Sequence, residues 1–162
     1  MNALAKPEVG EFINRYFVSS FQRVGTFKIN NGQKQGGNVA AYFCAPDGRV
    51  LHVIAGPVND KVFLEEAEWA VTKAQEAIGE AKGDAATFRK LIRKYHAERL
   101  ETAQEQRGSK NRQPNSNKVD KVLVSGATKK IEDLYRTIFE DILGETVTTK
   151  PVQADTPFRN RK

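Results

Sequence analysis

The stretch that decides the fold is NVAAYFCAPDGRVLHVIAGPVNDKVFLEEAEWA, residues 38–70. Two runs rich in β-branched and aromatic residues, 39–45 and 49–55, flank Pro46-Asp47-Gly48. Proline fixes its φ and glycine tolerates a reversed one, so this triplet favours a tight turn, and the three pieces together read as a β-hairpin. Gly56-Pro57 ends the second strand. Asn59 or Asp60 can then cap a helix, because a short side-chain oxygen accepts from first-turn amides that have no partner within the helix. Phe63, Ala67, Ala70, Val71, Ala74 and Ile78 form its apolar stripe, and Glu65, Glu66 and Glu68 crowd its N-terminal part, where the helix dipole favours negative charge. Gly79 and Gly83 bracket its end.

On the N-terminal side, Val9, Phe12, Ile13 and Tyr16 have helical spacing behind Pro7, a residue well tolerated in a first turn. Residues 17–29 follow, where Phe21, Thr26, Phe27 and Ile29 suit a strand that Gly25 weakens. Residues 30–38 (NNGQKQGGN) lack large apolar side chains and read as a loop. On the C-terminal side, residues 84–104 form a second helix, with Phe88, Leu91, Ile92 and Tyr95 on one side and Arg89, Lys90, Arg93 and Lys94 on the other. Residues 104–118 are polar and almost without hydrophobes, the composition of an exposed linker. Beyond them, Val122, Leu123 and Val124 suggest a short buried strand within 119–125. Ile131, Leu134, Tyr135, Ile138, Phe139, Ile142 and Leu143 then give a broad apolar helical face that Gly144 can terminate. The expected organisation is an α/β region over 1–103, a linker over 104–118, a strand–helix unit over 119–145 and a loose tail over 146–162.

Two segments together resemble the later part of a thioredoxin-like domain. ALAKPEVGEFINRYFVSSFQRV, residues 3–24, is similar to the stretch after the active-site cysteines. Residues 38–70 are similar to the final hairpin, its closing glycine and the helix that packs back on the sheet. The resemblance implies a thioredoxin-like α/β fold, truncated or circularly permuted, with a mixed sheet containing an antiparallel hairpin and packed helices. Two redox features of that superfamily are missing: no CxxC pair occurs, and Asn38 stands where a cis-proline usually precedes the hairpin. The superfamily's first strand would precede Met1 and lie beside the hairpin. Its loss leaves a slot, and unpaired backbone groups at a buried sheet centre cost about 1–3 kcal/mol each, so something must fill it. Residues 121–125 with the following helix have the right order to do so, from the same chain or a neighbouring one.

With 162 residues, 39% of them hydrophobic, the chain can bury a real core, and no run of apolar residues is long enough to span a membrane. Met1 to Gly10 lacks the layout of a signal peptide, so a cytoplasmic location is expected. The single cysteine, Cys44, forbids an intrachain disulfide and sits in an apolar strand, where burial deactivates a thiol, so it is a weak redox candidate. The two histidines, His52 and His96, have no cysteine partners and no Ser, Cys or acid at motif spacing, which leaves no catalytic residue, no metal ligand set and no cofactor to expect. Gly32, Gly36 and Gly37 lead into a strand, not a helix, and lack the GK[ST] ending of a phosphate loop.

The net charge of +6 is unevenly placed: residues 1–80 carry 8 basic against 9 acidic residues, and residues 81–162 carry 18 against 11. Arg89, Lys90, Arg93, Lys94, Arg107, Lys110 and Arg112 therefore mark a possible contact with a nucleic acid or another acidic partner, sequence-independent for want of interleaved aromatic residues. The expected function is a non-enzymatic, thioredoxin-like protein-interaction or assembly module whose partner is another protein or a second copy of itself. The alternative is a basic protein that binds the phosphate backbone of nucleic acid.

Overall fold

A computed structural model of the protein describes residues 3–24, 27–30, 33–36, 38–105, 113–148 and 153–154. The molecule is mixed α/β. The expected hairpin forms its centre: β3 (Ala40–Cys44) and β4 (Val50–Ala55) are antiparallel, joined through Gly48 at φ 79°, with a register shift between Phe43 and Cys44. Every residue of β4 is buried, as a strand covered on both faces requires. Leu51, Val53 and Ala55 face one core with Val119, Leu123, Leu134 and Ile138. Ile54 and Phe43 face a second core with Val9, Phe63, Ala67 and Ala70.

Four helices expected from their periodicity are present. The first, α1 (Pro7–Tyr16), buries Val9, and α2 (Asp60–Ala81) starts where Asn59 Oδ1 accepts from the Val62 amide at 2.9 Å. Helix α2 ends at Lys82 and Gly83, both with positive φ. Its stripe is rotated from the expected one: Ala77, Ala81 and Glu66 are buried, while Ile78 stands in solvent. Helix α3 (Ala85–Glu105) is capped by Asp84, whose carboxylate accepts from the Thr87 amide at 2.7 Å, and it packs against α2. Helix α5 (Ile131–Arg136) continues as a π-helical turn, Thr137–Ile142, and Gly144 at φ 67° closes it.

Three expectations are corrected. The buried strand expected within 119–125 is instead helix α4 (Ser116–Gly126): Val119, Leu123 and Gly126 recur at helical spacing on its buried side, and it packs on α3 and β4. Residues 17–24 carry no regular structure, and β1 (Phe27–Asn30) does not join the hairpin. It pairs antiparallel with β2 (Gln33–Gly36), inside the expected loop, and parallel with β5 (Gln153–Ala154), inside the expected tail. Finally, the end of the expected linker is not wholly exposed. Residues 106–112 lie outside the described residues, but Gln113 and Ser116 are buried.

Gln113 also shows how the open edge of β4 is closed. Its carboxamide donates to Val53 O and accepts from Ala55 N, both at 3.0 Å, in the manner of one residue of a parallel strand opposite Ile54. Asn115 Nδ2 donates to Ala55 O at 3.0 Å, His96 Nε2 to Leu51 O at 2.9 Å, and the backbone of Thr128 and Lys129 exchanges hydrogen bonds of 2.7 and 2.8 Å with Val50. The slot beside the hairpin is thus filled by side-chain amides, an imidazole and a short stretch of backbone. No third strand adjoins the hairpin among the described residues.

Candidate functional site

The alternation of β4 places His52 on the same face as Ile54, towards α2. There Glu66 lies three residues beyond Phe63 and four before Ala70, inside the buried stripe. Helix α3 contributes His96 and Arg99, three apart on one face, and α4 contributes Asp120. His52, His96 and Asp120 are each 0% exposed.

The contacts form one network. His52 Nε2 lies 2.6 Å from Glu66 Oε2. Arg99 Nη2 donates to Glu66 Oε1 at 3.0 Å and to Oε2 at 2.9 Å, its Nε lies 3.4 Å from Asp120 Oδ2, and its guanidinium sits 4.3 Å over the Trp69 ring. His96 Nδ1 is 2.8 Å from Asp120 Oδ1. The two imidazoles are near-parallel at 5.5 Å, and Trp69 lies 5.0 Å from each.

Protonation follows from the partners. Burial pushes His52 down to about 4, outweighing the pull of Glu66 in the other direction. Burial alone would raise Glu66, but the hydrogen bond from His52 and the charges of His52 and Arg99 reverse this and hold it at about 2. At neutral pH, then, Glu66 is a carboxylate and His52 a neutral ring that must carry its proton on Nε2 to donate. Its Nδ1 keeps a lone pair and has no hydrogen-bond partner although it is buried. In His96, Leu51 O only accepts, so Nε2 carries a proton. Nδ1 then faces the Asp120 carboxylate, and a cation, at the least a proton, must lie between these two acceptors.

In the sequence, neither histidine has a partner at motif spacing. The structure buries both fully and sets them side by side, because α2 and α4 each pack against both β4 and α3. No metal ligand set is visible in the sequence, whereas the fold brings one ring nitrogen of each histidine and one oxygen of Asp120 within 4.8 Å of one another. Sequence reading passed over Asp120, Arg99, Trp69 and Gln113. Glu66 alone carried a signal, an acid at stripe spacing among apolar residues.

The remaining candidates lie elsewhere. Cys44 is half-buried, and burial, helped by Asp47 and Glu132, raises its thiol to about 11, far from an activated nucleophile. Arg89, Lys90 and Lys94 are exposed on α3, with Lys94 3.5 Å from Glu98. Arg93 is half-buried and donates to Ala127 O at 3.2 Å, so it serves the end of α4. Arg107, Lys110 and Arg112 lie outside the described residues. No described helix is long and apolar enough to cross a membrane. Comparison with family models, with curated proteins and with solved structures returns no match.

Proposed function

We propose that the chain is a non-enzymatic, thioredoxin-like module that works by binding protein, a second copy of itself first of all. One observation carries this reading. The groups able to do chemistry among the described residues are sealed or deactivated, whereas Tyr16, Val18 and Phe21, three large apolar side chains within six residues, stand in solvent at and just beyond the end of α1. Covering a valine or phenylalanine contributes about 1.5–3 kcal/mol, enough for two or three such residues to anchor an interface. The thioredoxin-like relation is supported by the order hairpin, Gly56 at φ 97°, then a helix packed on the hairpin. The stacked α1 and α2 on that same face agree with it.

Light scattering on the full chain tests the proposal. A mass above the 18.1 kDa of one chain is expected, falling to one chain in Val18→Ser/Phe21→Ser, which should still unfold cooperatively. A wild type that stays at one chain, and that retains no protein the double variant releases, overturns it. The second reading, contact with a nucleic-acid backbone, is favoured by exposed Arg89, Lys90 and Lys94 on α3. Such binding weakens steeply with salt, and failure to retain duplex or single-stranded nucleic acid at low salt eliminates it.

A further inference from the structure

We propose that His52, His96 and Asp120 bind one zinc-class divalent cation between β4, α3 and α4, through Nδ1 of each histidine and Oδ1 of Asp120. The chain has only two histidines, 44 positions apart in sequence, and the fold brings both to this place. Each ring has its Nε2–H directed at a fixed acceptor, Glu66 in one case and Leu51 O in the other. That is how metal-bound imidazoles are held: the outer nitrogen donates to a carboxylate or a carbonyl, which fixes the tautomer and leaves the inner lone pair for the metal. His52 Nδ1 has no other use in the protein, being buried and without a hydrogen-bond partner. His96 Nδ1 and Asp120 Oδ1 lie 2.8 Å apart, a contact that a proton fills and that a metal ion can take over.

Asp120 divides its oxygens, Oδ1 towards His96 and Oδ2 towards Arg99, so one can serve a metal while the other keeps its outer contact. Zinc bonds of about 2.0–2.2 Å place tetrahedral ligand atoms about 3.3–3.6 Å apart. His96 Nδ1 and Asp120 Oδ1 are 2.8 Å apart, and one ring nitrogen of each histidine and one oxygen of Asp120 lie within 4.8 Å of one another, distances that bracket that spacing. Glu66 and Asp120 set two acidic side chains against one guanidinium, that of Arg99, around the site. Two imidazoles with one carboxylate suit zinc, cobalt or nickel better than magnesium or calcium, which prefer oxygen alone. Three protein ligands leave one position of a tetrahedron to water.

The test uses the tag-free full chain, stripped with chelator and titrated with cobalt(II). Visible d–d absorption should saturate at one equivalent and be abolished by zinc. Zinc at about a hundred times its Kd should raise the thermal midpoint by about 5–10 °C. Cys44→Ser should bind as the wild type does, and His52→Gln or Asp120→Asn should lose the band. Because a buried variant can fail to fold, zinc K-edge absorption of the wild-type protein supplies an independent reading: two imidazoles with an oxygen shell and no sulfur. Absence of the cobalt band in the wild type, a band retained in folded His52→Gln, or a shell of oxygen or sulfur without imidazole each overturns the proposal.

Discussion

Replacing Gln113 by alanine tests how the sheet edge is closed. The carboxamide satisfies two buried backbone groups, Val53 O and Ala55 N, at 3.0 Å each, and no other described side chain bonds to either. Leaving a buried donor or acceptor without a partner costs about 1–3 kcal/mol, so Gln113→Ala should lower stability by about 2–6 kcal/mol, a large part of a typical domain's total. Urea unfolding measures the loss, and amide hydrogen exchange locates it, with protection falling first at Ala55. Gln113→Glu is the sharper variant. It keeps an acceptor for Ala55 N but sets a buried carboxylate oxygen against Val53 O, so it should destabilise at least as much despite its similar shape. Removing Asn115, half-buried and with one bond to Ala55 O, should cost only about 1 kcal/mol. If Gln113→Ala falls within about 0.5 kcal/mol of wild type with Ala55 protection unchanged, the amide is not standing in for a strand.

Two further outcomes follow from titration. In chelator-treated protein, His52 is held at about 4 against an ordinary 6.5, so between these values the unfolded chain binds a proton that the native one refuses, and stability should fall as pH drops. Glu66, lowered from 4.5 to about 2, continues the loss in the same direction over that lower window. A urea midpoint that stays level from pH 6.5 to 4 contradicts this account of the buried pair. For Cys44, a thiol raised from 9.0 to about 11 has about a hundredfold less thiolate near neutrality. Alkylation of the native protein should therefore be about a hundredfold slower than in denaturant, and a native rate within tenfold of the denatured one contradicts it.

What the sequence disclosed was what is local. Pro46-Asp47-Gly48, the cap at Asn59, the stripe from Phe63 and the face from Ile131 each specify their element within a few residues, and each element is present. Residues 119–125 misled because Val122-Leu123-Val124 is too short for periodicity to separate strand from buried helix, and burial of Val119 and Leu123 against the hairpin decided it. The site was less legible than the fold. Arg99 looks like a member of a solvated helix face and Asp120 lies in the stretch that reads as a strand, and only tertiary packing brings two histidines from a strand and a helix into contact. Gln113 lies at the end of a polar run whose composition is that of a linker.

The sheet edge and the buried cluster share one residue, and this has an energetic consequence. His96 closes the edge of β4 through Nε2 and faces Asp120 through Nδ1, so a single rigid ring joins strand, α3 and α4. Whatever cation lies between Nδ1 and Asp120, proton or metal, sets the orientation of that ring and hence the quality of its bond to Leu51 O. Linkage is reciprocal: a cation that binds more tightly when α4 is docked must stabilise the docking by the same free energy. Asp120 reaches Arg99, Arg99 holds Glu66, and Glu66 holds His52, so the tie extends to α2 as well. An apolar core of the same volume would pack these helices with comparable stability. What the polar cluster adds is dependence: the alignment of three helices on one strand is conditional on the charge at its centre.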